Sequence, residues 1–111
     1  GVTYGNSLFV AVAYGSSFAA ISANGSYWTE QNLPSSQDWD AVTYGNGVFL
    51  AVATGSSTAA ATSANGIAWT AQTLPSSQDW SSVAYGNGVF TAVSGGLLAA
   101  GTASSVAGSA W

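Results

Sequence analysis

The chain has 111 residues, 48% of them apolar, and carries only four charged side chains, Glu30, Asp38, Asp40 and Asp79, for a net charge of −4. With no Lys, Arg or His it lacks the cations that release counterions from phosphate backbones or hold anionic lipid headgroups, so nucleic acid and membrane surfaces are not expected partners. No Cys is present, which removes disulfides, thiolate nucleophiles and zinc–thiolate sites, and no apolar run approaches the roughly 18 to 20 residues needed to span a bilayer as a helix.

From the start of the chain, residues 2–10 read VTYGNSLFV, and this run returns as VTYGNGVFL at 42–50 and VAYGNGVFT at 83–91. Residues 33–39 (LPSSQDW) recur unchanged at 74–80, and Trp28, Trp69 and Trp111 recur at matching places. A period near 40 residues marks stacked supersecondary units. The repeats are read as 2–41, 42–82 and a partial third at 83–111, all within one domain covering 1–111.

The second repeat shows the unit most clearly. Residues 39–44 (WDAVTY) alternate, Asn46-Gly47 makes a turn, and 48–53 (VFLAVA) is rich in β-formers. Two such runs around Asn-Gly predict a hairpin, because a type I′ turn needs positive φ at both central positions. Asn87-Gly88 repeats the signal and Asn6-Ser7 gives a weaker version. A third strand is expected over 58–62 (TAAAT) after Gly55-Ser56-Ser57, and a fourth over 67–73 (IAWTAQT) after Asn65-Gly66. Helix competes poorly, since Gly recurs every few residues and β-branched and aromatic residues fill the gaps.

Val48, Leu50 and Val52 occupy one face of the second strand and Phe49 and Ala51 the other, so its sheet should be covered on both sides. Four-stranded sheets stacked face to face achieve this. The expected fold is all-β, with β-propeller-like repeats of four-stranded antiparallel blades.

Residues 22–28 (SANGSYW) and 63–69 (SANGIAW) resemble the Ser-x-Asp-x-Gly-x-Thr-Trp box of sialidase-like propeller repeats, which are frequent in phage tail and bacterial surface proteins. Asn stands where that family has Asp, one residue fewer precedes Gly, and the third copy at 106–111 (VAGSAW) keeps only Gly108 and Trp111. In that family the box is a structural turn between the third and fourth strands of a blade, so the resemblance implies fold and not activity.

Propellers close with roughly four to eight blades, and this chain supplies about two and two-thirds repeats. A ring or open array completed by other chains is therefore expected, as a homo-oligomer or a filament. Two identical neighbouring segments also make domain swapping physically reasonable. Residues 94–110, poor in aromatics, read as a cap or as a surface for a different partner. With no Met at its start, the chain reads as a processed form or a fragment.

Without His, Cys, Lys or Arg, the candidate acids and bases reduce to the four carboxylates, the tyrosines and the termini. Asp40 becomes Ser81 in the next repeat, so no carboxylate pair recurs, and the arginine cluster of true sialidases is missing. No enzyme activity and no cofactor are expected. Asp38 with Asp40 matches no calcium loop, and no metal site is expected. The best candidate ligand surface is Gln37, Asp38 and Trp39 with their repeats Gln78, Asp79 and Trp80, where an indole could stack on a sugar beside hydrogen-bonding groups. The competing reading has the carboxylates cap turns and the indoles pack between sheets. Function is read as a non-enzymatic structural or assembly module of an extracellular or virion fibre, tail or surface structure, with a multivalent glycan-binding module as the alternative.

Overall fold

A computed structural model describes residues 1–95 and 101–111, and among these residues every regular element is a β-strand. The strands are β1 (Val2–Gly5), β2 (Leu8–Val12), β3 (Ser16–Ser22), β4 (Thr29–Gly45), β5 (Val48–Thr54), β6 (Ser57–Ser63), β7 (Thr70–Gln78), β8 (Trp80–Gly86), β9 (Val89–Ser94) and β10 (Thr102–Ser105). All neighbours pair antiparallel, in a seven-stranded sheet of order β1 to β7 and a three-stranded sheet of order β10-β9-β8.

The hairpin turns follow from local chemistry. Asn46 and Gly47 have φ of 48° and 78°, and Asn87 and Gly88 have 52° and 79°, the left-handed pair that a two-residue β-turn requires. Asn6 and Ser7 adopt the same geometry, at 52° and 60°. All three hairpins therefore form alike, although Ser7 enters a region that favours glycine.

The repeats map onto three ladders. The first is β1-β2-β3 with the start of β4, the second is the end of β4 with β5-β6-β7, and the third is β8-β9-β10. The 17-residue β4 is shared: its residues 29–32 and Gln37 pair with β3, and from Asp38 onward it pairs with β5. A register shift between Trp39 and Ala41 accompanies the exchange of partner, a bulge of the kind that bends a strand. The same irregularity falls between Trp80 and Ser82.

Two expectations are corrected here. The sequence places Ser35–Trp39 and Ser76–Trp80 in the connections between repeats, but Ser35–Trp39 remains extended within β4, and the second connection is confined to Asp79 between β7 and β8. The fourth strand of the second repeat runs Thr70–Gln78 rather than 67–73, because Ile67 and Ala68 are held in the turn that follows β6. Part of the segment expected to act as a cap, at 96–100, lies outside the described residues.

Alternation along β5 produces two cores. Phe49, Ala51 and Ala53 join Val10, Val12, Ala19, Leu33 and Trp39 in one cluster, while Leu50 and Val52 join Ala60, Leu74, Trp80, Phe90 and Ala92 in another. The members correspond by repeat: Val10 to Leu50, Val12 to Val52, Leu33 to Leu74, Trp39 to Trp80, and Phe49 to Phe90. The middle ladder is thus covered on both faces by its neighbours, as the two-sided apolar pattern of 48–53 anticipates. Fully burying a side chain such as Leu50 contributes about 2 to 3 kcal/mol, and each ladder contributes one face to a core that it cannot build alone.

Candidate functional site

The features that recur with fixed geometry are one turn, one extended segment, one tyrosine joint and one end of the strands. The first turn follows β3. The Ser22 hydroxyl accepts hydrogen bonds from the Asn24 and Gly25 amides at 3.3 and 2.8 Å, and Asn24 Oδ1 accepts from the Ser26 and Tyr27 amides at 2.8 and 3.0 Å. Trp28 Nε1 then donates to the Gly25 carbonyl at 3.2 Å. Ser63, Asn65, Gly66 and Trp69 reproduce every one of these bonds. Short polar side chains that bond the backbone two or three residues ahead favour such turns, and Gly25 and Gly66, with φ of 79° and 76°, supply the left-handed position.

The third copy keeps more of this box than its sequence suggested. Ser105 Oγ accepts from the Gly108 amide at 2.9 Å, and Trp111 Nε1 donates to the Gly108 carbonyl at 3.0 Å. The Ser-x-x-Gly-x-x-Trp spacing, common to 22–28, 63–69 and 105–111, is the signal that identifies Ser105. What this copy loses is the Asn, the two amide bonds it accepts, and the bond from the amide two residues after the serine.

The second recurring arrangement lies in the extended strand-exchange segment and involves the expected ligand residues. Trp39 Nε1 donates to the Ser35 carbonyl at 3.1 Å and Trp80 Nε1 to the Ser76 carbonyl at 3.2 Å, while Gln37 and Gln78 donate to the hydroxyls of Ser35 and Ser76. Trp39 is 1% exposed and Trp80 fully buried, each within one of the two cores. Neither indole presents a face on which a sugar could stack, and the expectation of a stacking platform is corrected. Although Ser, Gln and Asp surround them in sequence, strand alternation turns the indoles inward, as in the packed reading, and leaves Gln37, Asp38, Gln78 and Asp79 half-buried at the edge.

The two aspartates meet neighbouring turns. Asp79 Oδ1 accepts from the Ser56 amide at 2.7 Å, and the Ser77 hydroxyl donates to the Ser56 carbonyl. A side chain at Gly55 would come within 3.0 Å of Asp38 Oδ2, and one at Gly15 within 3.8 Å of Asp38 Oδ1. The strand-exchange segment of each repeat is thereby tied to the turns before β3 and β6, which places Tyr14, Asp38 and Asp79 at one end of the strands. The Asp38 carboxylate raises the Tyr14 phenol above its ordinary value, through its charge first, then desolvation and a hydrogen bond to Asp38, with Asp40 and Asp79 adding to the effect. Among the described residues, no group of three or more acidic side chains gathers to hold a metal ion.

The third feature joins the ladders. The ring of Tyr44 fills the space that a side chain on Gly5 would need, and the ring of Tyr85 does the same at Gly45. Tyr44 and Tyr85 also pair with Phe49 and Phe90 of their own hairpins, at centroid distances of 4.6 and 4.7 Å, and Tyr4 pairs with Phe9 at 4.7 Å in like manner. The box glycines complete the contact. Gly66 sits on Leu8, Val10 and Ile21 of the preceding unit, and Gly108 on Leu50 and Thr62.

Compared with known protein families and with curated proteins, the chain matches none.

Proposed function

We propose that this chain is a non-enzymatic repeat module whose ladders act as propeller-like blades, and that it serves assembly in an extracellular or virion fibre, tail or surface structure. The observation that carries the reading is the contrast between equivalent positions. Tyr4 is 57% exposed and Trp28 43% exposed, and Phe9 is only half-buried, whereas Phe49 and Phe90 are fully buried and Trp69 and Trp111 are half-covered. The first ladder therefore leaves open an aromatic face of the kind that the second and third ladders bury against a neighbour. A contiguous exposed apolar face is costly on a free chain and is ordinarily matched by a partner.

The serine–asparagine turns support the blade reading, since they stand between the third and fourth strands of their ladders, the place that the box occupies in sialidase-like propeller repeats. The chemistry supports a non-enzymatic role: the only ionisable side chains are four carboxylates and five tyrosines, and no cationic side chain stands ready to stabilise developing negative charge. The extracellular or virion setting rests on the near absence of charge and the abundance of Ser, Thr, Gly and Ala.

Light scattering tests the proposal. The expected result is a particle mass of two or more chains at micromolar concentration, and a monodisperse single chain would contradict assembly. A screen against immobilised glycans should return no binding that depends on Trp39 or Trp80.

A further inference from the structure

We propose that a second copy of this chain docks head to tail on the first, with Tyr4 of one copy seated on Gly86 of the next. This inference rests on the assembly reading above and specifies its joint.

The joint already exists twice within the chain. Tyr44 rests on Gly5 and Tyr85 on Gly45, and both glycines are buried beneath the rings. Continuing the series leaves one ring and one seat unused. Tyr4 is the unused ring: it is exposed, yet it already holds the 4.7 Å pairing with Phe9 that its counterparts hold with Phe49 and Phe90. Gly86 is the unused seat: it is exposed, and a Cβ there would meet none of the described residues within 4 Å. Docking therefore requires no rearrangement of either group, which lowers the entropic cost of association.

The surfaces around the joint are also continuations of the internal contact. Gly25, exposed here, corresponds to Gly66 and Gly108, which are buried on the unit before them. On the opposite end, Thr91 and Val93 correspond to Val10 and Val12, and Val93 is 41% exposed where Val12 is buried. Thr91 and Ser104 stand in the places of Val10 and Ile21, so hydroxyls replace alkyl groups on the open face. This keeps the unpaired face wetted and makes the joint between chains weaker than the joints within one. The contact is heterologous, because ring and seat lie on opposite ends of the chain, and it propagates into a ring or a filament.

Sedimentation velocity on wild type, Gly86→Ala and Tyr4→Ala, and on an equimolar mixture of the two variants, tests the proposal, with thermal melts of dilute samples confirming that each variant folds. Gly86 lies outside the left-handed region and has open space around it, so Gly86→Ala should melt like wild type. Each variant alone should associate at least about tenfold more weakly than wild type, and a tenfold change corresponds to about 1.4 kcal/mol. The mixture should yield a two-chain species and nothing larger, because only Tyr4 of the Gly86→Ala chain and Gly86 of the Tyr4→Ala chain remain able to meet. If wild type associates and both variants associate equally well, the joint is wrong while the assembly reading stands. A mixture of folded variants that forms no two-chain species likewise overturns the head-to-tail geometry. Wild type that stays a single chain at every concentration overturns both.

Discussion

The ring of Tyr85 occupies the space in which Gly45 would carry a side chain. That relationship ties the third repeat to the second, and its twin, Tyr44 on Gly5, ties the second to the first. Gly45→Ala should therefore destabilise the fold by about 1 to 3 kcal/mol, the usual cost of overpacking a filled interior. Gly86→Ala, the same change at the equivalent open position, should shift stability by less than about 0.5 kcal/mol. Urea denaturation of the two variants side by side checks the difference.

The serine at the head of the second box holds a backbone amide that water cannot reach. Gly66 is buried and its amide donates to Ser63 Oγ at 2.8 Å. Ser63→Ala should cost about 1 to 3 kcal/mol, because the amide is left unpaired. Asn65→Asp should be nearly neutral, since a carboxylate oxygen can accept from the Ile67 and Ala68 amides as Oδ1 does. Asn65→Ala should lower the melting temperature measurably, and circular dichroism melts of the three variants separate these outcomes.

Core positions should follow the repeat in their energetics as well as their geometry. Leu50 is fully buried between the second and third ladders, and Leu50→Ala should cost about 2 to 5 kcal/mol through lost burial and the cavity left behind. Thr91 occupies the equivalent place on the third ladder but is exposed, so Thr91→Ala in the dilute single chain should fall within about 0.5 kcal/mol of wild type. Chemical denaturation below the concentration of association measures both.

Tyr14 gives the fold's stability a small alkaline pH dependence. Its phenol is held above the ordinary value of 10.0, chiefly by the charge of Asp38, so the folded chain favours the protonated form more than the unfolded chain does. The associated stability is present below pH 10 and is lost as pH rises through the folded-state value. Absorbance titration of tyrosinate in wild type minus Tyr14→Phe should show a midpoint above 10, and Asp38→Asn should move that midpoint down.

Hairpin turns and two-sided apolar runs announce themselves because they are local: Asn-Gly specifies the turn, and Phe49 with Leu50 on consecutive positions of β5 specifies a sheet covered on both faces. The Ser-x-x-Gly-x-x-Trp spacing was equally visible at 22–28 and 63–69, but at 105–111 the loss of Asn concealed it. The fate of Trp39 and Trp80 was harder to read. Their neighbours are polar, and only the partner exchange of β4, a tertiary event, shows that the indoles turn into the cores while Gln37, Asp38, Gln78 and Asp79 remain at the edge. The seating of tyrosine on glycine was not legible at all, because Tyr-Gly within one run conceals that each ring sits on the glycine of the preceding repeat.

Small-angle X-ray scattering over a concentration series tests most directly the claim that ladders cover one another and leave two faces for neighbouring chains. A single folded chain has a Cα radius of gyration of 12.8 Å, to which side chains and hydration add a little in scattering, and the account predicts a radius that rises with concentration and returns to this single-chain value on dilution. A radius that holds at the single-chain value up to millimolar protein would contradict it.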